Sequence, residues 1–231
     1  VAINVFGVSL AVSVFPLFSQ AFVDKDHGTF VAVFSQSMRR LIVLLVPVAV
    51  LLILLRAQLV RVLFGFGNFD WEDTILIAQA LGILALALPA QGLTPVFARA
   101  FYALQDTRTP VGIAGVSVVL NIGLALLLRN QLGILGLATA FTLANLLQPL
   151  LLYVALRRRV GDLAEGALLA TIGRVLVAAA GAGAATWIAL RLVVGGVDQS
   201  TRLGLMLQGG VAGLAGLGIY VLAILVLAPQ E

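Results

Sequence analysis

The chain has 231 residues, 61% of them hydrophobic and 10% charged, with a mean hydropathy of +1.13; soluble domains carry about half apolar and a quarter charged residues, so this is an integral membrane protein. With no cysteine and a single histidine, His27, disulfides, thiolate metal sites and thiol nucleophiles are excluded, and His-based metal clusters and Ser-His-Asp chemistry have almost nothing to work with. The net charge of +4 would point to nucleic acid in a soluble protein, but here the basic residues sit at the ends of apolar runs, where membrane phosphates are the expected partners and nucleic acid is not.

Residues 1–18 read as a helix with Asn4, Ser9 and Ser13 along one side, a side expected to face protein or water rather than lipid. The chain begins at Val1 in what already reads as mid-membrane, without a basic leader or a small-residue cleavage site. It is expected to be a fragment that does not open on a signal peptide. Asp24–Thr29 predicts a turn, Phe30–Ser37 a short interfacial helix, and Leu41–Leu55 a span with a kink at Pro47. Arg56–Asp73 is the connection at the opposite face, with sharp turns at Gly65 and Gly67 and an aromatic belt of Phe64, Phe66, Phe69 and Trp71. Asp70, Glu72 and Asp73 complement the dipole of the next helix; capping is preferred to ion binding for this cluster.

Thr74–Ala103 is too long for one straight crossing and contains Pro89, Gly92 and Pro95, so it is expected to bend, with Gln91 and Thr94 beside the bend. Arg99–Pro110 is a polar, aromatic turn at a membrane face, with Tyr102 and Arg108 as interfacial headgroup contacts. Arg99 itself either meets a phosphate or snorkels to the interface. Val111–Leu128 carries Asn121; after a turn at Arg129–Gly133, Ile134–Leu156 carries a small and polar stripe that includes Asn145 and Gln148. Arg157–Arg159 marks a boundary before two Gly- and Ala-rich spans, Ala167–Leu190 and Leu203–Ala228, joined by a polar loop over Gly195–Thr201. Their glycines predict either close packing or a smooth lipid-facing groove.

The fold class is therefore an all-α polytopic membrane protein with about seven spans. Alternate loops hold Lys25, Arg39, Arg40, Arg108, Arg157, Arg158, Arg159 and Arg174 on one side, against Arg56, Arg61, Arg129, Arg191 and Arg202 on the other. By the positive-inside rule the first set, and with it the C-terminus, is cytoplasmic. No paired intramembrane carboxylates and no phosphate-binding glycine loop occur, so neither an internal proton relay nor ATP hydrolysis is expected, and nothing places a nucleophile beside a base.

The run Arg99-Ala-Phe-Tyr-Ala-Leu-Gln-Asp-Thr-Arg-Thr-Pro-Val111, followed by the membrane Asn121, resembles the MurJ (MviN) lipid II flippases, a family within the multidrug/oligosaccharidyl-lipid/polysaccharide exporter superfamily. Phe15–Gln20, Leu63–Asp70 and the segment from Asn145 and Gln148 to the basic run are similar to it in the same order. The resemblance implies two lobes plus a terminal helix pair in a bacterial cytoplasmic (inner) membrane. On that reading residues 1–160 are the remainder of the C-terminal lobe, with about five spans, and residues 161–231 are the terminal pair. It further implies a central cavity that receives the pyrophosphate and sugar headgroup of an undecaprenyl-linked peptidoglycan precursor, with a groove for the lipid tail on the terminal pair. The partners are then that precursor, membrane lipids and the missing N-terminal lobe; no cofactor, metal or catalytic residue is implied. Candidates for the cavity are Asn4, Ser13, Gln20, Gln91, Thr94, Arg99, Asn121, Asn145 and Gln148. The family commonly has Arg or Lys at the position of Gln20, so the first helix's contribution to the anion-binding site is in doubt here, or shifts onto Lys25, Arg39 or the missing lobe. Two other expectations stay open: a related exporter of drugs or polysaccharide-lipid intermediates, and a non-transporting scaffold of the cell envelope.

Overall fold

The computed structural model describes residues 7–64, 71–193 and 201–227, and the structural statements below concern those residues, the side chains of Trp71 and Arg202 excepted. Asn4, Gly65, Phe66, Gly67, Phe69, Asp70 and residues 195–200 of the polar loop lie outside them, so the turns, the inner part of the aromatic belt and the loop expected there are not described. Nine helices follow in order: α1 (Ser9–Val23), α2 (His27–Leu54), α3 (Arg56–Phe64), α4 (Trp71–Leu86), α5 (Leu88–Ala103), α6 (Arg108–Leu132), α7 (Ile134–Val160), α8 (Glu165–Val193) and α9 (Arg202–Leu227). Taking α4 and α5 as one broken crossing, six are long and apolar enough to span a bilayer, and α1 is a shorter apolar helix.

The expected bend is real and sits at Ala87, between α4 and α5. Pro89 has no N–H for the carbonyl of Ala85, and its ring crowds that carbonyl, so the helical ladder is interrupted there and restarts with Pro89 in the first turn of α5. Two elements differ from the sequence reading. Phe30–Ser37 is not a separate interfacial helix but the first part of α2, which runs unbroken through Arg39, Arg40 and Pro47. No glycine or proline falls between Thr29 and Val46, so nothing in the backbone ends the helix at the arginines. Within the expected connection, Arg56–Phe64 forms α3.

The chain divides into two compact units, Val1–Leu45 with Ala87–Ile172, and Val46–Leu86 with Gly173–Glu231. The first is built around aromatic contacts: Phe18 meets Phe30 with ring centroids 5.2 Å apart, and Phe34 meets Phe97 edge-on at 5.3 Å. Phe101 is buried in this unit, while Tyr102 stays exposed. α6 and α7 form a hairpin whose turn needs glycine twice. Gly133 has φ +56°, and a Cβ on Gly136 would lie 2.6 Å from the Leu128 carbonyl oxygen. α6 buries only Pro110 and Ser117, leaving Val118, Val119 and Leu127 as a surface suited to lipid.

In the second unit Ala178, Ala179, Ala182 and Tyr220 form a buried cluster against Val46 and Val50. The glycines of α9 divide between the two expected roles. Gly216 packs so tightly that a Cβ there would collide with the Thr186 hydroxyl, whereas Gly210 and Gly218 face open space. In a bilayer lipid tails are as apolar as leucine, so close small-residue packing, and not apolar burial as such, draws α8 and α9 together.

Candidate functional site

The candidate site lies in the first unit, around α5 and the turn that follows it. α5 is held against α1 at a glycine pair: a Cβ on Gly7 would come 2.8 Å from the Gly92 oxygen, and one on Gly92 would run into Leu45. That contact fixes the backbone on either side of Gly92, where Gln91 and Thr94 lie. Gln91 is half-buried, and Thr94 returns its hydroxyl to the Ala90 carbonyl at 2.9 Å. Pro95 cannot donate an N–H to the carbonyl of Gln91, and Pro149 on α7 cannot donate one to Asn145. At both positions an amide side chain therefore accompanies a backbone oxygen that its own helix leaves without the usual donor. The Asn145 side chain donates to the Phe141 carbonyl at 2.8 Å.

α5 packs on α7, and α7 on α6, so Gln91, Asn121, Asn145 and Gln148 belong to one helix group. Asn121 and Asn145 are each twelve residues from Gly133, which puts them at matching depths of about 18 Å along the hairpin. Gln91, Asn121 and Gln148 are all half-buried and form no side-chain hydrogen bond with another described residue. Ser13 and Gln20 are exposed on α1, away from its buried stripe of Ala11, Val14, Phe18 and Ala21; the Ser13 hydroxyl donates to the Leu10 carbonyl. Arg99 is half-buried and finds a partner the sequence did not indicate: its guanidinium lies 5.4 Å from the centroid of the Phe15 ring on α1.

The turn between α5 and α6 is organised by Asp106. Its Oδ1 accepts the Thr109 N–H at 3.0 Å and its Oδ2 the Thr109 hydroxyl at 2.7 Å, satisfying a donor that the first turn of α6 leaves open. Arg159, at the end of α7, also donates to Oδ2. Thr109's two donors, then the charge of Arg159, hold the Asp106 carboxyl below the usual aspartate range. Arg157 is paired with Glu165 at 2.6 Å, tying α7 to the start of α8. Two of the four arginines here are thus structural. Arg108 and Arg158 are exposed and make no ion pair among the described residues.

The turn between α1 and α2 is built the same way. The N–H groups of Asp24, Lys25 and Asp26 bond the carbonyls of Gln20, Phe22 and Ala21; those of Leu104, Gln105 and Asp106 bond Ala100, Tyr102 and Phe101. Lys25 and Gln105 occupy the same left-handed position, with φ +55° and +58°, and Asp26 grips Thr29 as Asp106 grips Thr109. Only the cation differs: Asp26 is fully exposed, and Thr29's hydroxyl and then its N–H lower its pKa. The shared Asp-x-x-Thr at an eighty-residue interval was present in the sequence, which also carries the pattern at Asp198–Thr201.

An all-helical, multi-pass membrane protein with one crossing broken beside a polar helix group is the class these features define. A family described as "Lipid II flippase MurJ" matches residues 1–204, and the chain belongs to that family. It is 34% identical over 188 residues to the probable lipid II flippase MurJ of Rhizobium meliloti (strain 1021), covering 81% of this chain and 35% of that protein. It is 32% identical over 154 residues to the lipid II flippase MurJ of Burkholderia cenocepacia, covering 66% of this chain and 30% of the relative. The chain thus spans about a third of the length of the curated relatives it matches. A solved structure titled "Lipid II flippase MurJ, inward closed conformation" shares the fold, with a TM-score of 0.72 at 20% identity, over 97% of this chain and 43% of that one.

Proposed function

We propose that the protein containing this chain is a lipid II flippase, moving an undecaprenyl-pyrophosphate-linked peptidoglycan precursor across the bacterial cytoplasmic membrane by alternating access. Membership of the family supports the reading, and the broken α4–α5 crossing carries it. Irregular backbone and amide side chains at membrane depth are tolerated where they are buried in protein or line a water-filled cavity. Gln91, Thr94, Asn121, Asn145 and Gln148 form the cavity wall supplied by this chain. Ser13, Gln20 and Arg99 complete it toward the N-terminal lobe. Residues 1–160 work as the remainder of one lobe and residues 161–231 as a terminal pair that holds the lipid tail. The eight-to-five bias of basic residues supports a cytoplasmic α5–α6 turn and C-terminus, with Tyr102 and Arg108 as the headgroup contacts of that turn.

The test is to express the full-length parent in cells depleted of their own flippase and to probe lipid II on the outer leaflet with a membrane-impermeant reagent. Recovery of accessible lipid II supports the reading, and no increase over the empty vector rejects it.

A further inference from the structure

Arg39 lies in the interior of α2, which runs straight through it. It is half-buried, and its Nε is closed off from solvent with no acceptor. No hydrogen bond, ion pair or ring contact joins the rest of its side chain to a described residue. One turn earlier, Ser35 is 2% exposed and its hydroxyl is also without a partner among the described residues. Ser37 behaves differently, returning its hydroxyl to the Val33 carbonyl at 2.7 Å. Positions four apart share a helix face and side chains lean toward the N-terminus, so Arg39 extends back over Ser35. Two donors withdrawn from water thus stand together with nothing to receive them, a costly arrangement that an acceptor from outside the chain relieves.

The carboxylates of the first unit are engaged elsewhere. Asp26 and Asp106 hold their threonines, Asp106 also takes Arg159, Glu165 is paired with Arg157, Asp162 accepts the Glu165 N–H, and Asp24 is exposed at the α1–α2 turn. Residues 1–6, the part of this unit outside the described residues, contain no acid.

Depth follows from the packing of α2 on α5. Phe34 meets Phe97, about 10 Å along α5 from the turn at Leu104, and Leu45 packs at Gly92, about 18 Å from it. Arg39 lies between these levels, and its lean toward Ser35 puts the guanidinium near the first. Headgroups of resting lipids stay at the membrane face, so an anion that meets a guanidinium about 10 Å inside a core roughly 30 Å thick is one being carried.

We propose that Arg39, with Ser35 behind it, is the contact that α2 gives to the pyrophosphate of a polyprenyl-linked substrate during its passage. The inference rests on the flippase reading and adds to it a residue outside the wall formed by α5, α6 and α7. Guanidinium and hydroxyl donors with no competing carboxylate match an anion with several acceptor oxygens.

The test uses the full-length parent in two assays. In neutral detergent it is titrated with geranyl pyrophosphate or inorganic pyrophosphate and read by phosphorus NMR line broadening; in cells depleted of their own flippase, externally accessible lipid II is measured. Arg39→Gln is expected to weaken geranyl pyrophosphate about tenfold or more and to lower lipid II exposure, Ser35→Ala to weaken it about threefold, and Arg39→Lys to keep part of the affinity. Arg40→Gln, next in sequence but exposed on another face of α2, leaves binding unchanged. Inorganic pyrophosphate is expected to bind more weakly and to lose affinity in the same variants; equal or tighter binding of the free anion makes that anion the ligand and overturns the assignment. Thermal unfolding without ligand separates this role from a structural one. Neither side chain has a described partner to lose, so Arg39→Gln and Ser35→Ala should melt at or above the parent, and a lower melting temperature of Arg39→Gln overturns the proposal. Undiminished binding in Arg39→Gln, or an equal loss in Arg40→Gln, overturns it too, and leaves the flippase reading standing where the parent restores lipid II exposure. A parent that restores none ends the flippase reading and this inference with it.

Discussion

Replacing Asp106 with alanine removes three interactions at once and gives the sharpest measure of what holds the α5–α6 turn. The helix cap to Thr109 contributes about 1 kcal/mol in comparable settings. The pair with Arg159 adds about 0.5 kcal/mol, because the Arg159 side chain is 48% exposed and its charge is screened by water. Asp106→Ala in the full-length parent is therefore expected to cost about 1.5 kcal/mol, and Arg159→Ala about a third of that. The repeated turn supplies an internal control: Asp26→Ala removes the same cap without an arginine ion pair, and its loss should be the smaller of the two. The pH dependence has a definite sign. Asp106 has a folded pKa lowered from 3.8, so its contribution is fully present above that value and is lost as pH falls through the lowered one. Hydrogen exchange of the amides in the first turn of α6, with thermal unfolding in detergent, reads both effects. If Asp106→Ala exchanges no faster than the parent, or costs no more than Asp26→Ala, the assignment of Asp106 as the tie between α6 and α7 is wrong.

Three further outcomes follow from the packing and the broken crossing. Gly7→Ala sets a Cβ 2.8 Å from a backbone oxygen on α5 that cannot rotate away, so thermal unfolding should show a loss of about 1–3 kcal/mol, whereas Gly112→Ala, with open space around it, should be neutral or stabilising. Pro95→Ala returns a donor to the Gln91 carbonyl and should stabilise α5 by about 1–3 kcal/mol in the same unfolding assay. Arg99→Ala forfeits the contact with Phe15, about 0.5–2 kcal/mol, in the same unfolding assay; Arg99→Lys should keep part of it.

Much of this architecture was legible in the sequence because membrane helices announce themselves by length and apolarity. The α6–α7 hairpin followed from two apolar runs around Gly133, and the break between α4 and α5 from Pro89 inside a run too long for one crossing. Arg39 and Arg40 misled, since charge marks where a membrane surface lies and does not end a helix, so α2 continues through them. The pairing of Asp106 with Arg159 was not legible, because 53 residues separate them and only the return of α7 to the same turn brings them together. The Arg99 contact with Phe15 escaped for the same reason: tertiary packing of distant segments makes it. The Asp-x-x-Thr repeat was readable but is short, and it gains meaning only when both turns show the same hydrogen bonds and left-handed residue.

The claim on which the account turns is that the amides beside the broken crossing meet water. This chain has no cysteine, so thiols can be placed one at a time once the rest of the parent is made cysteine-free. Gln91→Cys and Asn145→Cys should react with a membrane-impermeant maleimide and be protected by added lipid II, while Val119→Cys, at a position 71% exposed on the apolar face of α6, should stay unreactive in the bilayer. Gln91→Cys and Asn145→Cys as inert as Val119→Cys would contradict the account.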